Sequence, residues 1–106
     1  MGKKVSKSGY RNSVVLSGRI GAAAQERELP SGDSVAEFRL IIERDDRDGV
    51  DTLDIACWKA PLRRRALTLK ADEWISIEGV IRRRFWRAGP TLASRWQVEA
   101  RELRRV

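Results

Sequence analysis

At 106 residues the chain is long enough for one domain with a real core and too short for two. It has no histidine and a single cysteine. That excludes an internal disulfide, zinc sites of the usual Cys/His kind and acid–base chemistry built on imidazole. Hydrophobic residues make up 42% and charged residues 35%, with a net charge of +7, as in a folded and highly charged domain. The charge is unevenly placed. Residues 1–53 carry nine Lys/Arg against nine Asp/Glu, and residues 54–106 carry thirteen against six. Five of the seven aromatic residues (Trp58, Trp74, Phe85, Trp86, Trp96) lie in that basic half. Basic charge alone suits a membrane surface or an acidic partner, but basic charge interleaved with rings points to nucleic acid. No apolar run reaches the length of a membrane span, so cytoplasmic residence is the default expectation.

In chain order, residues 1–11 are rich in Lys, Ser and Gly without periodicity and read as a flexible basic arm ahead of a domain over residues 12–106. Residues 13–20 read as a first strand. A polar connection over 25–33 follows, with turn chemistry at Pro30-Ser31-Gly32-Asp33. Residues 34–44 alternate as a second strand, with Ala36, Phe38, Leu40 and Ile42 inward and Glu37, Arg39 and Glu43 outward. Asp48-Gly49 marks a hairpin loop over 45–49. In the third strand, 51–58, Leu53, Ile55 and Cys57 form the core row. Thr52, Asp54, Ala56 and Trp58 form the outer one, which places a large ring on the solvent side. Pro61, Leu62, Ala66 and Leu69 predict one short helix over 61–69, carrying Arg63-Arg64-Arg65.

The fourth strand is the most informative stretch. Ile75, Ile77, Gly79 and Ile81 fall on one side; Trp74, Ser76, Glu78, Val80 and Arg82 fall on the other. It runs straight into Arg82-Arg83-Arg84-Phe85-Trp86. Glycine inside a strand marks a bulge or bend, and a bulge at Gly79 would exchange the faces of everything from Val80 to Trp86. A turn at Ala88-Gly89-Pro90 leads to a fifth strand over 94–103. There Trp96, Val98 and Ala100 share one face, and Arg95, Gln97, Glu99 and Arg101 the other. An all-β fold follows: a five-stranded OB-fold Greek-key barrel with one short helix between the third and fourth strands.

Four pieces, in order, resemble the bacterial single-stranded DNA-binding proteins of replication and repair. They are Asn12-Ser13-Val14-Val15-Leu16-Ser17-Gly18-Arg19-Ile20-Gly21, Arg27-Glu28-Leu29-Pro30-Ser31-Gly32-Asp33-Ser34-Val35-Ala36, Asp54-Ile55-Ala56-Cys57-Trp58, and Ile75-Ser76-Ile77-Glu78-Gly79-Val80-Ile81-Arg82-Arg83-Arg84-Phe85-Trp86. The resemblance implies an OB fold assembling as a homotetramer, or at least a dimer, that binds single-stranded DNA without sequence preference. It also implies stacking roles for Trp86 and Trp58. Thr52 and Asp46 stand where further stacking tryptophans occur in the family, and Asp54 replaces a basic residue. The acidic loop with Asp45, Asp46, Asp48 and Asp51 opposes a phosphate track beside it. The family's acidic C-terminal tip has no counterpart in Arg101-Glu102-Leu103-Arg104-Arg105-Val106, so recruitment of repair proteins through such a tail is not expected.

The expected nucleic-acid contacts are therefore stacking on Trp58, Phe85 and Trp86, with phosphates held by Arg39, Lys59, Arg63, Arg82, Arg84 and Arg87. Trp74 and Trp96 are expected in the core or a subunit interface, Cys57 as a small buried hydrophobe, and Arg63–Arg65 as a largely solvated helix face. No Gly-rich phosphate loop, nucleophile–base pair or metal cluster is present in the sequence, so neither enzyme activity nor a cofactor is expected. The alternative is an OB-fold module whose aromatic face binds protein or builds the oligomer, with weak nucleic-acid affinity.

Overall fold

The computed structural model describes residues 9–106, and most of the arm expected over residues 1–11 lies outside the described residues. Six strands and one helix follow in order: β1 (Val14–Ile20), β2 (Gln25–Glu28), β3 (Ser34–Glu43), β4 (Val50–Cys57), α1 (Ala60–Ala66), β5 (Trp74–Ala88) and β6 (Thr91–Arg105). They form one sheet in the order β1-β5-β6-β4-β3-β2, and β1 also pairs with β3 through Arg19 and Ile20. That last pairing closes β1, β5, β6, β4 and β3 into a ring. β4 and β6 run parallel and every other pair is antiparallel. A closed five-stranded ring with a helix between its third and fourth strands is the OB barrel.

The alternation in the sequence fills the barrel. Ile20, Ala36, Phe38, Leu40, Ile55, Cys57, Ile75, Ile77, Val98, Ala100 and Leu103 are buried together, with Ala66 and Leu69 closing one end. The inward rows expected for the second and third strands are the ones observed in β3 and β4. Burial pushes the Cys57 thiol up to about 11.

Three features depart from expectation. The first is β2, which lies within the expected polar connection. All four of its residues are exposed, so no apolar pattern marks it. It exists because Gln25 to Glu28 pair with Glu37 to Ser34, and Gly32 N–H donates to Leu29 O to close the turn between them. The second is the arm. β5 and β6 both run further than expected, and Ala88 pairs with Thr91 across a two-residue turn. Gly89, with φ +65, sits first in that turn, where a side chain would be strained, and Pro90 completes it. The third is the helix, which ends at Ala66 instead of Leu69, with Thr68 N–H and Oγ1 both donating to Arg65 O.

The bulge expected near Gly79 exists, but the extra residue belongs to β6. Glu78 pairs with Glu102 and Gly79 with Ala100, which leaves Arg101 unmatched. β5 therefore keeps its alternation through to Trp86, while β6 shifts phase and buries Leu103 as well as Ala100 and Val98. Gly79 is required here by contact. A Cβ at this position would lie 2.2 Å from Glu99 O.

Candidate nucleic-acid interface

The outward rows of β3, β4, β6 and β5 share one wall of the barrel. Pairing sets Arg39 opposite Asp54, Arg82 opposite Gln97, Arg84 opposite Arg95 and Trp86 opposite Ala93. Two adjoining depressions of about 510 and 460 Å3 run along this wall and share Glu37, Arg95 and Gln97. One extends to Gly21, Ala22, Arg39 and Asp54; the other extends to Arg27, Pro30, Arg84 and Trp86. Together they make a continuous open groove across the sheet.

Its side chains are held by one another. Arg27 donates to both oxygens of Glu37, from Nη2 at 3.1 and 3.2 Å. Asp54 accepts from Arg39 Nε at 3.4 Å and faces Arg95 Nη1 at 3.5 Å. Arg84 differs, because its hydrogen-bond partner is neutral: Nη1 donates to Gln97 Oε1 at 3.0 Å. Gln97 is 7% exposed and its Nε2 donates in turn to Glu37 Oε2 at 3.5 Å. The Arg84 guanidinium lies over Trp58, 4.8 Å from the ring centre, and that of Arg95 lies 6.0 Å from the Trp86 ring centre. Cation–π contact of this kind is worth about 0.5–1 kcal/mol at exposed sites. Four arginines (Arg27, Arg39, Arg84, Arg95) against two carboxylates (Glu37, Asp54) leave the groove positive.

The residues singled out from the sequence divide into three groups. Arg39, Arg84 and Trp86 line the groove, Trp58 borders it through the Arg84 guanidinium against its ring, and Arg82 shares their face by alternation. Phe85 touches the groove wall, but its ring lies against Arg83 on the reverse of the arm, and alternation sends Arg87 the same way. Lys59 caps α1 without a side-chain cap bond and is exposed, while Arg63 is half-buried. Arg63 Nη1 donates to Trp58 O at 2.7 Å and Nε pairs with Glu26 at 3.3 Å. Arg65 likewise donates to Leu103 O yet stays exposed, so Arg64 and Arg65 fit the expected solvated face and Arg63 does not. Trp58 itself is half-buried at the end of β4, with one ring face available to Arg84.

Three groove residues were not anticipated: Arg27, Arg95 and Gln97. Trp74 and Trp96 are 54% and 61% exposed, which rules out a core position for either. Among the described residues no group of His, Cys, Asp and Glu is placed to hold a metal ion. Among the same residues no helix is long and apolar enough to cross a membrane.

A closed barrel with rings and guanidiniums on its outer wall is the geometry with which OB domains hold single strands. The family model described as the single-strand binding protein family matches residues 11–104. The chain belongs to that family. Its members are non-enzymatic proteins that bind single-stranded DNA, which agrees with the ring-and-guanidinium wall. Comparison with curated proteins finds no match.

Proposed function

We propose that the chain binds single-stranded DNA without sequence preference along this groove, and so protects exposed strands in replication, recombination or repair. The observation that carries the reading is the exposed Trp86 ring beside Arg95, in line with Arg84 over Trp58. Bases stack on Trp86 and on the Trp58–Arg84 pair. Any base has a π-face, so stacking selects no sequence. Arg82 and Arg84 take phosphates directly, Arg27, Arg39 and Arg95 do so in exchange for their carboxylate partners, and each contact releases counterions. Arg63 serves by fixing the backbone of Trp58. No covalent step and no cofactor is needed.

The protein acts as a homo-oligomer, most simply a tetramer in the cytoplasm associated with the nucleoid. Exposed Val15 on β1 and Trp74 on β5 offer an outer face for another copy to cover. Titration with oligo-dT at two salt concentrations tests the reading. It expects strong tryptophan quenching that weakens steeply with salt. Unchanged fluorescence at micromolar oligonucleotide would overturn it. The pairing of Arg27, Arg39 and Arg95 with groove carboxylates favours a second reading, a protein-binding OB module with weak DNA affinity, which that unchanged fluorescence would support.

A further inference from the structure

The β5–β6 arm has a reverse face that the groove does not use. On it the Arg83 guanidinium is shared by two exposed rings, 5.3 Å from the centre of Phe85 and 5.5 Å from that of Trp96. Ser94 Oγ accepts from Arg83 Nη2 at 2.9 Å and from Nε at 3.2 Å, which fixes the guanidinium and leaves Nη1 for another acceptor. Phe85 is 57% and Trp96 61% exposed. The row is the continuation of the core row of β5, where Ile75 and Ile77 are buried. Past Gly79 the arm leaves the barrel, and the same row emerges into solvent with rings instead of aliphatics.

Charge selects the occupant. Residues 79–98 hold five arginines and neither Asp nor Glu. Two such arms facing each other would juxtapose like charges, which penalises self-association, whereas a polyanion is drawn to them. Rings flanking a fixed cation suit bases flanking a phosphate.

We propose that Arg83, Phe85 and Trp96 bind a second segment of single-stranded DNA, so that one strand lies along the groove and returns over the other side of the arm. The inference rests on the groove being the primary DNA site. Bases stack on the remaining faces of Phe85 and Trp96, and Arg83 Nη1 meets a phosphate oxygen. The narrow two-residue turn at Gly89-Pro90 gives the strand a short path from one face to the other.

The test uses fluorescently labelled oligo-dT in two lengths: about 10 nucleotides, within the span one OB domain covers, and roughly three times that. Binding is read by anisotropy and oligomer mass by light scattering. The variant is Trp96→Thr, which keeps a strand-favouring side chain and spares Phe85, a residue that also touches the groove wall. The short oligonucleotide should bind the variant as it binds the wild type, which also shows that the barrel has folded. The long one should bind it about tenfold or more weakly, and Arg83→Gln should lower its salt slope by about one. Unchanged affinity for the long oligonucleotide would overturn the second segment and leave the groove intact. So would a fall in oligomer mass, which would make the strip a contact between copies. If neither oligonucleotide binds the wild type, the groove reading fails first.

Discussion

Arg84 holds its guanidinium 4.8 Å from the centre of the Trp58 ring while donating to Gln97 Oε1 at 3.0 Å. The ring is thus capped by a cation whose hydrogen-bond partner carries no charge. In contrast to Arg27, Arg39 and Arg95, its charge stays available to a phosphate, and its planar group extends the stacking surface of Trp58. Arg84→Ala should weaken oligo-dT binding and reduce the salt slope by about one. Arg84→Lys should retain the slope but lose affinity, since an ammonium neither stacks nor forks. Equal affinities for Arg84→Lys and wild type would show that the guanidinium plane is irrelevant.

Trp86→Ala should reduce affinity for oligo-dT by the worth of one stacked base, about 1–3 kcal/mol, and leave the oligomer mass unchanged. The ring is 44% exposed and, among the described residues, meets only Arg95 closely enough for a cation–π contact, so folding has little stake in it. Fluorescence titration and light scattering check the two halves separately. An unaltered affinity would displace the stacking site from this wall.

Asp54 restrains two cations at once, Arg39 and Arg95. Asp54→Asn should therefore tighten DNA binding and steepen its salt dependence, because both guanidiniums become free to release counterions against phosphate. The cost in stability should stay within about 1 kcal/mol, as for other solvent-exposed ion pairs. Weaker binding by this variant would mean that Asp54 positions Arg39 and Arg95 for DNA instead of competing for them.

Gly79→Ala should destabilise the barrel by about 1–3 kcal/mol, through overpacking. Its Cβ would fall 2.2 Å from Glu99 O and 3.1 Å from the Ala100 Cα, backbone atoms that have no rotamer to move away in. Thermal unfolding provides the measure, and an unchanged melting temperature would show that β6 yields easily at the bulge.

Cys57 supplies a pH dependence with a definite sign. Its folded-state value, about 11, lies above the ordinary 9.0 because burial disfavours the thiolate. A raised value means the folded state holds the proton more tightly. The contribution is complete below about pH 9, declines as pH rises and is gone above about pH 11. Two pH units correspond to roughly 3 kcal/mol. Urea midpoints across this range should fall more steeply for the wild type than for Cys57→Ala, and the native thiol should resist alkylation at neutral pH.

The barrel was legible because period-2 alternation is strong wherever one face is buried, as in Ala36-Phe38-Leu40 and Leu53-Ile55-Cys57. β2 was not, since a short edge strand wet on both faces has no pattern to read. Half of the groove could be read from rings and cations on β4 and β5. Arg95 and Gln97 were missed for want of a register, although one was within reach. Pairing outward from a two-residue turn at Gly89-Pro90 sets Arg95 against Arg84 and Trp96 against Arg83. For Arg63 the sequence shows charge but not reach, and its guanidinium turns to the carbonyl of Trp58 at the neighbouring strand end.

The unmatched Arg101 has one more consequence. The phase correction happens at the base of the arm, so everything distal to it obeys strict two-step counting from the tip. Lengthening the arm by one residue in each strand would move the tip outward and carry every distal ring to the opposite side. Adding two in each would return them to their own. The arm thus behaves as a ruler graduated in pairs, and its usable lengths differ by about 7 Å.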